Sequence, residues 1–268
     1  MRASPTSTAT GTDGPPAGLA RRDWIAGVDK GLAILEAFDA SAPRMTAAQM
    51  GERMGMTRTA ARRYLLTLSH LGYVGTDGKL FWLGPRSLRL GQAYIESSRL
   101  ARIVQPFLQR VTAGTSEAAY VSVMDGDDVV YIARNGLNRH MNTGYVLGDA
   151  CAEHVTAAGM LMLAVRESPS SAEWLERATL RTYTSFTITD KAALAKAFER
   201  IRTLDWAISE QQLELHHRGI AVPLRDAKGQ LAGALSVTMP MGQESTEAAL
   251  DRVLAVLKET AQALRPMI

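Results

Sequence analysis

Three arginines, Arg58, Arg62 and Arg63, fall within the first seven residues of the stretch TRTAARRYLLTLSHLGYV at 57–74, and leucines crowd the rest. On a wheel of about 100° per residue, Arg58, Thr59, Arg62 and Arg63 share one face. Ala61, Tyr64, Leu65, Leu68 and Leu71 share the other. The apolar stripe demands burial, so the arginine face must point outward. An outward arginine has two chemistries open to it with nucleic acid. Its planar fork can meet guanine O6 and N7 with two hydrogen bonds. It can equally hold a phosphate, which positions a protein without specifying sequence. The alternative is a solvated surface face, and three arginines alone do not separate the readings.

The last two thirds of the chain carry a different set. Cys151, the single cysteine, and His154 have the types of a nucleophile and a base. Yet no nucleophile elbow or other catalytic motif surrounds CAEH. His154 reads as a cap or pocket-wall residue. His216 and His217 are adjacent, so they point apart, and no metal-ligand spacing supports them. No glycine-rich phosphate loop precedes a helix, and the 12 methionines suit core filling. No cofactor or metal is expected. What remains is a set of pocket residues. Thr156, Ala157, Ala158 and Gly159 leave room at a helix N-terminus, where free N–H groups suit a carboxylate. Ser236 and Thr238 alternate along a strand and share a face, so both hydroxyls can address one ligand.

These residues need elements to position them. Val28, Leu32, Ile34, Leu35 and Phe38 predict a first helix over 27–39. Thr46 is a helix N-cap before AAQMGERMG, Gly55-Met56 a turn, and Thr57 the next N-cap. GYVGTDGKLFWLG at 72–84 is two strands around Asp77-Gly78, a tight-hairpin signal. Three helices and a hairpin make a winged helix-turn-helix whose recognition helix enters a major groove, with Lys79 on the wing reaching phosphate. Residues 84–111 read as a linker helix and a following helix, with a sticky face of Leu88, Leu90, Tyr94 and Ile95. Pro85 suits the first turn, and Pro106 marks a kink or restart.

Beyond it, 118–134 is a pair of strands around a DG turn, 153–165 an apolar helix, and 187–201 a helix capped by Thr189. Trp206 to Ile208 is a short strand, 219–240 a hairpin around Asp226 to Gly229, and 244–267 a long amphipathic helix. Mixed strands and helices with adjacent hairpins predict an α+β domain with an antiparallel sheet. The expected organisation is a disordered tail at 1–23, a winged helix-turn-helix at 24–84, a linker helix at 85–103 and a second domain at 104–268.

Charge divides the same way. The formal net charge is +3, but residues 20–103 carry 13 Lys and Arg against 7 Asp and Glu, whereas residues 104–268 carry 16 against 19. A basic first third suits a polyanion, and the remainder does something else. A lone cysteine, no apolar run near the ~18 residues of a membrane span, and no signal-peptide core lead to an expected cytoplasmic location.

TAAQMGERMGMTRTAARRYLLTLSHLGYV followed by DGKLFWLGPRSLRLG resembles the amino-terminal module of the IclR family of transcriptional regulators. The likeness continues to the C-terminus. It implies a winged helix, a linker that helps pair two subunits, and a GAF-like effector-binding domain. In the family pattern Ala157 and Ala158 are ligand-facing small positions, with Cys151 on a nearby wall. Ser209 falls where an acidic pocket residue is sometimes found, and Gly219 where serine or cysteine is usual. Ser236 and Thr238 match the two hydroxyl positions of ALSVTMP. YIAR followed by RHM, then QLEL and GIAVPLRD, is similar to the subgroup controlling aromatic-acid breakdown, whose effectors include protocatechuate and 4-hydroxybenzoate. On that likeness Arg134 or Arg139 pairs a ligand carboxylate, with Met141 and His154 beside the ligand. Trp82 departs from the family at a wing position that is usually polar or basic.

Together these readings predict a DNA-binding regulator, dimeric or tetrameric, modulated by a small aromatic or short-chain carboxylic acid. Two other classes compete: an enzyme acting on such an acid, with the basic module as a docking arm, and a ligand-independent structural DNA binder.

Overall fold

The computed structural model describes residues 19–136, 145–167, 169–242 and 244–268. Two compact units divide at Tyr94 and Ile95. A short 3-10 turn, Arg21–Asp23, occupies the end of the segment expected as a tail.

In the first unit, side-chain caps set the starts of the second and third helices. After α1 (Ala26–Glu36) and the two-residue strand β1 (Met45–Thr46), Thr46 and Gln49 form a reciprocal capping box that opens α2 (Ala47–Arg53). Gly55 takes a positive φ of 62° in the turn. Thr57 then accepts the Ala60 N–H and opens α3 (Arg58–His70). The hairpin follows as β2 (Val74–Thr76) and β3 (Leu80–Leu83), paired antiparallel. Asp77 Oδ1 accepts the Lys79 and Leu80 N–H groups, and Gly78 supplies a φ of 95°. β1 joins β3 as an edge strand that two residues could not announce in the sequence.

Ile34, Met50, Ala61, Leu65, Leu68, Val74 and Phe81 form the core of this unit. Not every residue of the expected apolar stripe joins it. α3 ends at His70, and Leu71, as its C-cap, is 47% exposed. Tyr64 is half-buried, and on α1 Val28 and Leu32 face outward.

The expected linker helix is broken. α4 (Leu88–Ser97) stops where the Ser98 hydroxyl caps α5 (Arg99–Ile103), and α6 (Gln105–Thr115) restarts with Pro106 in its first turn. Pro106 is tolerated there because its missing N–H would have had no helical partner.

The second unit is a six-stranded antiparallel sheet in the order β6-β5-β4-β9-β8-β7. The strands are β4 (Ala118–Asp125), β5 (Asp128–Asn135), β6 (Ala150–Ala152), β7 (Ala207–Glu210), β8 (His217–Arg225) and β9 (Leu231–Pro240). One face packs against α7 (Ala157–Val165), backed by α8 (Ser171–Arg177) and α9 (Lys191–Leu204). Leu161, Leu163, Trp174, Leu194 and Phe198 fill that core. The other face packs against α6 and α10 (Thr246–Leu264) through Leu108, Val111, Leu235, Val237, Val253 and Leu257.

The cap of α9 is Asp190, not Thr189: the Asp190 carboxylate accepts the Ala193 N–H at 2.7 Å, which leaves Thr189 outside the helix. β6 carried too few residues to be read in advance, whereas α8, as long as α2, was missed although Ser170 and Glu173 form a capping box at its start. Among the described residues no helix is long and apolar enough to cross a membrane.

Candidate nucleic-acid interface and effector site

α3 presents Arg58, Thr59, Arg62 and Arg63 to solvent while Ala61, Leu65 and Leu68 are buried. Within the described residues no hydrogen bond or ion pair engages the three guanidinium groups. The helix is therefore anchored by its leucines, and its donors remain available. Thr57, as N-cap, spends its hydroxyl oxygen on the Ala60 N–H. Lys79 is exposed at the tip of the hairpin. The adjacent Asp77 carboxyl is held low by the Leu80 and Lys79 N–H groups it accepts.

In the second unit, strand register gathers the proposed ligand positions into two rows on the face under α7. One row runs Ser209, Gly219, Thr238, Ala118 across β7, β8, β9 and β4. The next runs Ala221, Ser236, Tyr120, Arg134 across β8, β9, β4 and β5. Arg134 reaches this face through a bulge: the β4–β5 register shifts between Val121 and Ser122, so Ile132 and Ala133 both pack in the opposite core. No hydrogen bond within the described residues engages the Ser236 or Thr238 hydroxyl. Ser236 is buried and Thr238 half-buried. Arg139 and Met141 lie outside the described residues.

Several other positions already have work within the fold. The Arg134 guanidinium donates to the Tyr145 carbonyl at 2.7 Å. The Ser209 hydroxyl donates to the Val155 carbonyl, also at 2.7 Å. Thr156 caps α7 by accepting the Gly159 N–H. Ala157 and Ala158 are buried, and a Cβ at Gly219 would stand 3.4 Å from that of Ala157. Gly159 does not leave room for a ligand, because a Cβ there would fall 2.1 Å from the Glu153 carbonyl oxygen. That space belongs to the 3-10 turn Glu153–Val155 ahead of α7.

His154, on that turn, is not a cap. Its Nε2 pairs with the Arg181 carbonyl at 3.1 Å, and burial pushes its pKa down. Cys151 sits on β6 opposite Val129, with its thiol pushed up to about 12, chiefly by burial. A thiol in that state is not a nucleophile at neutral pH. No hydrogen bond within the described residues joins it to His154.

Three tyrosines complete the wall, and none was among the expected site residues. Tyr131 and Tyr145 stack at 4.2 Å between centroids, and Tyr120 meets both edge-on at 5.4 and 5.6 Å. Burial raises all three phenols, so they are neutral hydrogen-bonding groups. Tyr120 and Tyr131 were readable as strand residues, but Tyr145 has no periodic context. Gln212 was also missed: it donates to Met160 Sδ at 3.5 Å and accepts the Ile188 N–H.

Residues 27–78 match the IclR helix-turn-helix domain, and residues 92–265 match the bacterial transcriptional regulator IclR C-terminal domain. The chain belongs to the IclR family. It is thus a transcriptional regulator and not an enzyme. A relative, the p-hydroxybenzoate hydroxylase transcriptional activator of Acinetobacter baylyi, is 37% identical over 92% of this chain and 93% of its own. A crystal structure of a putative transcriptional regulator from Rhodococcus sp. RHA1 superposes with a TM-score of 0.78 at 32% identity, covering 89% of this chain and 96% of that one. A double mutant of the PobR inducer-binding domain from Acinetobacter, solved as a complex with 3-hydroxybenzoic acid, matches at 30% identity and a TM-score of 0.58. It covers 62% of this chain and 98% of its own.

Proposed function

We propose that this regulator senses a small aromatic carboxylic acid, of the hydroxybenzoate type, on the sheet face beneath α7. The observation that carries the reading is the alignment of Arg134, Tyr120 and Ser236 in one transverse row, with Thr238 and Gly219 in the next. Arg134 and Ser236 are two strand spacings apart, about 10 Å, a span suited to a benzene ring with a carboxylate at one end and a hydroxyl toward the other. Arg134 pairs the carboxylate, the Ser236 and Thr238 hydroxyls serve the other polar group, and the tyrosines wall the ring. Ala157, Ala158, Cys151, His154, Thr156, Ser209 and Gly219 shape the enclosure. The relative that activates p-hydroxybenzoate hydroxylase and the 3-hydroxybenzoate complex support this ligand class.

The regulator acts as a homo-oligomer on duplex DNA. Exposed Leu88, Leu90 and Tyr94 on α4 support pairing of two copies through the linker, which sets two recognition helices on neighbouring half-sites. The acid shifts the population between arrangements of different DNA affinity, as it must if it binds one of them better.

A thermal-shift screen of 3- and 4-hydroxybenzoate, protocatechuate, benzoate and short-chain dicarboxylates on the full chain tests the ligand class. At ~100 times its dissociation constant a true effector adds about 2.7 kcal/mol of stability. A shift confined to hydroxybenzoates is expected. No shift with any aromatic acid overturns the assignment.

A further inference from the structure

The wing carries a cation that the arginine face of α3 does not include. Trp82 stands on β3 directly opposite Gly75 on β2. A Cβ at Gly75 would meet the indole Nε1 at 2.5 Å and Cε2 at 2.7 Å, so the ring lies across bare backbone that only glycine leaves open. Its neighbour Phe81 is turned fully into the core, which puts Trp82 on the outer face of the wing sheet. Arg44 immediately precedes β1, the strand paired with β3. Its Cζ stands over the indole, 4.3 Å from the ring centroid.

Arg44 is exposed, and no hydrogen bond or ion pair within the described residues engages its guanidinium. The Asp77 carboxylate lies near enough to feel its charge, but its Oδ1 accepts the Lys79 and Leu80 N–H groups and it forms no ion pair with Arg44 among the described residues. A free arginine at a surface explores many rotamers. Stacking on an indole selects one of them. The stack uses the flat face of the guanidinium, while its five N–H donors lie in the plane and remain open. The outcome is an oriented cationic fork at the edge of the same three-stranded sheet whose hairpin carries Lys79.

We propose that Arg44, held by Trp82, is a phosphate clamp on the outer face of the wing. Arg44 grips a backbone phosphate of the bound duplex with two in-plane N–H donors, and Trp82 is the positioning residue that aims it. The indole at this wing position therefore carries a basic contact rather than abolishing one. This rests on the duplex-binding role of the helix-turn-helix unit.

A phosphate contact carries no sequence information, so a labelled random-sequence duplex serves as the probe. Binding by the full chain is measured across a salt series. Arg44→Gln is expected to lower the slope of log affinity against log salt by about 0.9, the yield of one phosphate contact. Trp82→Leu keeps an apolar cover over Gly75 but removes the flat ring. It is expected to weaken binding too, with the double variant no weaker than Arg44→Gln alone. Arg44→Gln alters only exposed atoms, so its result stands even if Trp82→Leu disturbs the hairpin. A wild-type slope in Arg44→Gln overturns the clamp, and additive losses in the double variant overturn the role of Trp82. Loss of binding in Arg62→Ala without loss in Arg44→Gln sinks the clamp alone. Indifference to both substitutions overturns the clamp and removes Arg62 from the contact set, whereas a wild-type full chain that binds no duplex at all sinks the duplex-binding role beneath it.

Discussion

The Ser209 hydroxyl donates a hydrogen bond of 2.7 Å to the Val155 carbonyl, tying strand β7 to the turn that starts α7. Both residues are buried, and they lie 54 positions apart in the chain. Ser209→Ala leaves a buried carbonyl short of a donor and is expected to destabilise the second unit by about 1–3 kcal/mol. Chemical denaturation of the full chain, followed by tryptophan fluorescence, checks this. An unchanged midpoint would show that the bond is not needed.

Two glycines near that turn should respond to very different degrees. Gly159→Ala drives a methyl into the Glu153 backbone and is expected to cost more than 3 kcal/mol, at or beyond the usual range for overpacking. Gly219→Ala places its methyl 3.4 Å from Ala157 Cβ, an ordinary contact, and is expected to change stability by less than about 1 kcal/mol. Thermal melts of the two variants distinguish close packing from spare space, and equal effects would contradict the geometry.

Glu153 gives the fold a pH dependence. Its carboxyl is raised from 4.5 to about 7, first by burial and then by Asp127 and Asp128, against opposing hydrogen bonds from its own backbone and Trp174. The folded protein thus keeps a proton that the unfolded chain has lost. The stabilising contribution is complete below pH 4.5, declines as pH rises, and is gone above about 7. The whole swing is about 3 kcal/mol. Glu153→Gln removes the titration, so its stability should fall less than that of the wild type between pH 5 and pH 8. Parallel curves for the two proteins would rule out this group as the source.

Arg62→Ala should weaken duplex binding while leaving the melting temperature unchanged, because the side chain is exposed and the buried stripe of α3 is untouched. A base contact would cost about 1–3 kcal/mol on the cognate site and relax specificity there. A phosphate contact would weaken all sequences alike and lower the salt slope by about 1. Full affinity on both kinds of DNA would remove Arg62 from the contact set.

Local signals proved the readable ones. Thr46 and Thr57 cap their helices because each hydroxyl needs only an N–H three residues on. The Asp77-Gly78 turn likewise depends on its own residues and closes the hairpin as expected. Competition among neighbouring polar residues was harder, as at Thr189 and Asp190, where either side chain can cap and only the backbone decides. Non-local features left almost no trace. The bulge that turns Arg134 toward Tyr120 breaks the period-two alternation on which a strand reading relies. Tyr145 joins Tyr131 from an irregular segment. That Ser236 and Thr238 share a sheet face was therefore legible, because they obey simple alternation, and the cluster of three tyrosines was not.

The hydrogen bond from Arg134 to the Tyr145 carbonyl has a consequence for ligand entry. On the proposed assignment, an acid that takes the Nη1 edge of the guanidinium would compete with that carbonyl, and the ring of Tyr145 is stacked on Tyr131. Occupancy and the anchoring of Tyr145 are then exchangeable states of one arginine. On the proposed assignment, a ligand with a carboxylate would loosen a backbone tether as it binds, whereas a neutral phenol of the same size would leave the tether closed.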